Sequence, residues 1–165
     1  MRDVSHTMKL SAATMLAMLL GSYLYSSSAS AADVHDISRV LGGIHVSAEQ
    51  RVGDISSVNG GIDLSSGARA ESIDAVNGGI DLDERVVIDE AETVNGGIRA
   101  SRDVTVRGSL STVNGGIQTG AGSVVEDRVS TVNGKIRLRG TRVGENVQTS
   151  NGDIFLTDGT VVEGD

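Results

Sequence analysis

From residue 37 onward the chain alternates apolar and polar positions in short bursts, as in Ile44-His45-Val46, Ile62-Asp63-Leu64 and Ile136-Arg137-Leu138. That in-out-in alternation is the pattern of a strand with one buried face. The bursts recur at a nearly fixed interval and align into columns. The most regular column is isoleucine throughout: Ile44, Ile62, Ile80, Ile98, Ile117, Ile136 and Ile154. Two residues further on stand Val46, Leu64, Leu82, Ala100, Thr119, Leu138 and Leu156. Six beyond those come Val52, Ala70, Ile88, Val106, Val125, Gly144 and Val162. A fourth column holds Ile37, Ile55, Ile73, Ala91, Leu110, Val129 and Val147, and a fifth, read as inward, holds Val40, Val58, Val76, Val94, Val113, Val132 and Ser150. The residues between, such as His45, Asp63, Arg99, Gln118 and Phe155, share no chemistry.

Ahead of each isoleucine a turn phrase returns: "SVNGG", "AVNGG", "TVNGG", "TVNGK", "TSNGD". Its asparagines are Asn59, Asn77, Asn95, Asn114, Asn133 and Asn151, with Leu41 in the equivalent place of a degenerate first copy; successive spacings are 18, 18, 18, 19, 19 and 18 residues. Self-similarity at this period denotes stacked units. Each unit supplies apolar side chains to three short sides joined by tight corners. The predicted fold is therefore all-β: a single-domain three-sided parallel β-solenoid of about seven turns over residues 37–165. At ~4.8 Å per turn the rod is about 34 Å long. Both 19-residue units carry their extra residue at a corner, in Arg107-Gly108-Ser109 and Glu126-Asp127-Arg128, where Asp89-Glu90 suffices elsewhere. The Asn-Gly-Gly corner predicts positive φ at one or two residues, which Gly and Asn tolerate. Stacked asparagines predict a structural side-chain ladder along the rod.

An antiparallel sandwich also uses Asn-Gly turns, but seven copies at one period fit stacking better. A left-handed hexapeptide coil would turn Asp74, Glu92 and Gln148 inward, where unpaired polar groups are costly; right-handed winding is favoured.

The segment before the repeats has Arg2 and Lys9, an apolar run from Leu10 to about Tyr25, and the small triplet Ala29-Ser30-Ala31. This is the layout of a secretory signal cleaved after Ala31, followed by a short segment, residues 32–36. The apolar run is shorter than the ~20 residues that span a bilayer, so no stable membrane span is expected after cleavage. The expected location is outside the cytoplasm: periplasm, cell surface or medium.

Composition narrows the chemistry. The chain has no Cys, Pro or Trp and a single Phe, so neither disulfides nor an aromatic core is available. Loss of residues 1–31 leaves 12 Lys+Arg against 21 Asp+Glu, a net charge of about −9. With its arginines read as scattered singly, such a chain repels nucleic acid. Its two remaining histidines, His35 and His45, and its one lysine, Lys135, offer no nucleophile–base pair. No catalytic residue, metal site or cofactor is predicted. Carboxylates abound from Asp81 to Glu92, yet the corners are too short to build a glycosidase cleft. Asp63 and Asp81 stack one turn apart, but Arg99 and Gln118 follow them, which reads as a solvated face and not as a calcium roll.

The V-N-G-x-I phrase at this spacing behind an export signal resembles the bacterial adhesin-type β-strand repeat family, over about residues 37–162. The resemblance implies a β-solenoid and a non-enzymatic surface or envelope binding module whose partner is a protein or glycan surface. It brings no catalytic residues. A looser resemblance to bactofilins implies the alternative of a scaffold that self-associates through its terminal turns, and β-helical carbohydrate-active enzymes share the architecture alone.

Overall fold

The structure is a computed structural model and describes residues 34–164. The expected signal segment, residues 1–31, lies outside the described residues, as do Ala32, Asp33 and Asp165. All regular structure among the described residues is β, in three parallel sheets wound into a solenoid of about seven turns. The first sheet stacks Ile37–Leu41, Ile55–Asn59, Ser72–Asn77, Glu90–Asn95, Leu110–Asn114, Val129–Asn133 and Val147–Asn151. The second stacks Ile44–Val46, Ile62–Leu64, Ile80–Leu82, Ile98–Ala100, Ile117–Thr119, Ile136–Arg139 and Ile154–Thr157. The third contains Val87–Ile88, Thr105–Val106, Val124–Val125, Arg142–Val143 and Val161–Val162, and two isolated bridges, Arg51 to Arg69 and Arg69 to Val87, extend it.

Each strand pairs in parallel with its equivalent one turn away, so Ile80 sits between Ile62 and Ile98. The isoleucine column is the spine of the core. Ile44 is 2 % exposed and Ile62, Ile80, Ile98, Ile117 and Ile136 are fully buried, whereas Ile154, in the last described turn, is 40 % exposed. Burial of one such side chain stabilises by about 1.5–3 kcal/mol. With β-branched residues favouring the pleated strand, a stack of aliphatic columns replaces the aromatic core the composition lacks.

Three sequence expectations are corrected. The column Val58, Val76, Val94, Val113 and Val132 is only half-buried and Val40 is exposed; these valines line the outer surface of the first sheet. Parity is the reason: Ile55 and Val58 are three apart, so one straight strand cannot turn both inward. The inward partner is the residue before each valine: Ser57, Ala75, Thr93, Thr112 and Thr131, all buried. All but Ala75 carry a hydroxyl, and these hydroxyls are used in the core. Thr93, Thr112 and Thr131 donate to the carbonyls of Gly78, Gly96 and Gly115 at 2.9, 2.8 and 3.0 Å, satisfying acceptors of the preceding corner that burial would otherwise strand.

The third-sheet column passes through Val143, not Gly144, because Val143 pairs with Val125 and Val162. The corner after Leu138 is one residue shorter and the corner after Val143 one longer, so an 18-residue spacing conceals two compensating changes. A sixth inward column, Ala68, Val86, Val104, Ser123 and Thr141, is also buried.

Positive φ belongs to a different corner from the one expected. Between the second and third sheets, Glu49, Gly67, Arg85, Asp103, Gly122, Gly140 and Asp158 all have φ between 51° and 78°. At the Asn-Gly corners only Gly42 (φ 92°) and Gly152 (φ 157°) are positive. The repeated glycine answers to close approach instead. A Cβ on Gly60, Gly78, Gly96, Gly115 or Gly134 would fall on the carbonyl oxygen of the equivalent glycine one turn earlier.

Candidate functional surface

The predicted ladder runs along the edge of the first sheet. Asn77 Nδ2 donates to Asn59 Oδ1 at 3.0 Å, and Asn95 to Asn77, Asn114 to Asn95, Asn133 to Asn114 and Asn151 to Asn133 each at 2.9 Å. The side chains are on the exposed surface, so the ladder contributes order to the corner without a buried polar group behind it. Backbone bonds tie the same corners together: Gly60 N donates to Asn77 O at 3.1 Å and Ile62 N to Gly79 O at 2.9 Å.

With the interior filled by side chains, chemistry toward other molecules is left to the three outer faces. On the first, Asp74 and Glu92 are register partners, half-buried beside each other. Burial first, and then neighbouring carboxylates, raise both above their ordinary values: Glu90 and Asp54 act on Asp74, Asp74 and Glu90 on Glu92. The adjoining corner holds an open depression of about 500 Å³ lined by Asp54, Glu71, Ser72, Asp89, Glu90, Arg107 and Gly108. Arg107 is committed there to Asp89 at 3.2 Å.

The outer face of the second sheet is a single column, His45, Asp63, Asp81, Arg99, Gln118, Arg137 and Phe155. It changes character along its length, acidic in the early turns and basic in the later ones. Arg99 reaches back to Asp81 at 3.3 Å, and at the neighbouring corner Arg102 reaches Glu84 at 2.6 Å. The Arg102 hydrogen bond, then its charge, holds the Glu84 carboxyl below its ordinary value. Lys135 pairs with Asp153 at 3.6 Å and Arg139 with Asp158 at 3.2 Å. Exposed pairs of this kind add little to stability, because solvent screens them.

A depression of about 520 Å³ opens among the later turns, bordered by Arg99, Gln118, Arg137, Arg139 and Phe155 with Thr119 and Gly120 beneath. Here the expectation of singly scattered arginines fails. Arg99 and Arg137 are far apart in sequence but share one column, each a register partner of Gln118, and two stacking steps of ~4.8 Å separate them. Charges within one column meet only once the period has been counted and the outward positions aligned; linear inspection does not pair them. His35 and His45 are both exposed, and Ser65 Oγ lies 3.4 Å from His45 Nε2. Among the described residues no group of three His, Asp or Glu stands close enough to hold a metal ion, and no helix is long and apolar enough to cross a membrane.

Comparison with protein-family models, curated proteins and solved structures finds no match to this chain. The V-N-G-x-I resemblance therefore rests on the repeat itself.

Proposed function

We propose that this chain is an exported, non-enzymatic rod of the adhesin-type repeat class, working at a bacterial surface or in the envelope as a binding module. One observation carries the reading. Inward positions hold nearly constant aliphatic and hydroxyl residues turn after turn, while the outward column of the second sheet changes at almost every turn, from His45 through Asp63 and Arg99 to Phe155. Such a scaffold holds backbone geometry fixed and leaves outward chemistry free to match a partner. The N-terminal segment supports export.

The test is binding of the purified chain to arrayed surface glycans and matrix proteins. Saturable binding to one class supports the reading; retention on none of them, from a folded monomer, counts against it.

A second reading is self-association through a terminal turn: among the described residues Ile154, Leu156 and Val161 are 40 %, 47 % and 51 % exposed, an apolar surface suited to a second copy. An oligomer series that grows with concentration in light scattering supports this second reading; a concentration-independent monomer rejects it.

A further inference from the structure

We infer that the depression over the second sheet, bordered by Arg99, Gln118, Arg137 and Arg139, binds an acidic polysaccharide through its carboxylates. This deepens the binding-module reading and rests on it.

In a chain with an excess of acidic residues, this depression is lined by three arginines and no carboxylate. Two of the three already have acidic neighbours, Arg99 with Asp81 and Arg139 with Asp158. Arg137 forms no ion pair among the described residues. Its guanidinium lies instead over the ring of Phe155, 5.6 Å from the centroid. Phe155 is the only phenylalanine in the chain, and it is 44 % exposed on the outer face, not packed in the core. An aromatic ring beneath a guanidinium fixes its plane and leaves its edge N–H groups free. That edge is the part of arginine that accepts a carboxylate in bidentate fashion.

The surrounding groups suit a sugar chain. Gln118, between the two arginines of the column, offers an amide donor and acceptor at the level of ring hydroxyls, and Ser101 and Thr157 add hydroxyls along the rim. Gly120 lies in the lining at a corner where the backbone of Ser101 comes so close that no side chain fits. Arg99 and Arg137 lie two turns apart, about 10 Å, a span that matches alternate acidic sugars of an extended chain better than it matches closely spaced phosphates. The overall negative charge opposes a polyphosphate or an anionic membrane, whose long-range fields extend over the whole rod. A weakly and intermittently charged polymer touches the basic depression without laying charge against the acidic turns.

The test uses the purified chain on immobilised, partly methyl-esterified polygalacturonate, whose carboxylates are intermittent, with fully methyl-esterified polymer as a control of the same backbone without charge. Retention on the partly esterified form, elution by salt and no retention on the full ester are expected. Arg137→Ala with Arg139→Ala should weaken binding at least tenfold; Arg137→Lys, which keeps charge but loses the stacked planar fork, should weaken it several-fold. Unchanged circular dichroism in all variants keeps the comparison about binding. Equal retention of the variants overturns the assignment, as does equal binding to the full ester or preferential binding to duplex DNA or anionic vesicles. If the native chain binds another arrayed surface and the arginine variants bind it equally, this site fails while the binding-module reading stands. If the native chain binds nothing, both fail.

Discussion

Replacing Gly78 by alanine isolates the reason the turn phrase repeats. The new Cβ would fall on the Gly60 carbonyl oxygen, with Gly61 N 3.0 Å away. Relief requires the two corners to separate, which stretches the Gly60 N to Asn77 O and Ile62 N to Gly79 O bonds of 3.1 and 2.9 Å. Overpacking costs about 1–3 kcal/mol, and two weakened backbone bonds cost about 1 kcal/mol each. The reduced entropy of an unfolded alanine returns about 0.4–1 kcal/mol. The net expectation is a loss of about 2–4 kcal/mol, a fall of roughly 6–12 °C in melting midpoint. Gly61→Ala is the internal control, because its Cβ would stand 3.5 Å from Gly79 O, in ordinary contact. It should be neutral within about 0.5 kcal/mol. The chain itself carries this contrast: the first glycine of the phrase is present in every copy, while the second is replaced by Lys135 and Asp153 in the last two. Thermal melts followed by circular dichroism read both variants, and equal midpoints for Gly78→Ala and Gly61→Ala would refute the close-approach argument.

Two further perturbations address the ladder and the acidic pair. Asn95 both donates to Asn77 and accepts from Asn114, whereas Asn59 accepts a single ladder bond, from Asn77; on the exposed surface Asn95→Ala should cost about 1–2 kcal/mol and Asn59→Ala about half that, measured in denaturant. Asp74 and Glu92 have folded values raised above 3.8 and 4.5. As pH rises from about those values, the folded state therefore binds more protons than the unfolded one and stability declines. Asp74→Asn with Glu92→Gln should raise the melting midpoint at pH 7 and flatten its decline above pH 4, with the gain limited by partial solvent exposure; an unchanged pH profile would reject the coupling.

How far the sequence could be read depends on which physical constraint each residue answers to. The isoleucine column was legible because one inward position repeats without interruption, and the ladder because Asn recurs at the same place in six copies. The valine column misled because it recurs as faithfully while facing outward. The discriminating signal was present in strand parity from Ile55 and in the uniformly small residue before each valine, Ser57 to Thr131. The glycines were correctly marked as structural but for the wrong reason, since a positive φ and a vanishing gap between turns both select glycine. Only the distance between corners separates the two. The switch from Gly144 to Val143 was hidden because two corner changes of opposite sign leave the period intact. The basic depression joins residues up to 58 positions apart, Arg99 to Thr157, and its marker in the sequence was a lone Phe155 at an outward place.

The central claim is that successive units are interchangeable turns of one stacked core, and removal of a complete unit, Val58 to Ala75, tests it most directly. Circular dichroism with small-angle scattering on the shortened chain should give an undiminished β signal per residue and a rod about 4.8 Å shorter. Loss of the β signal, or a folded particle of unchanged length, would contradict the stacked-turn account.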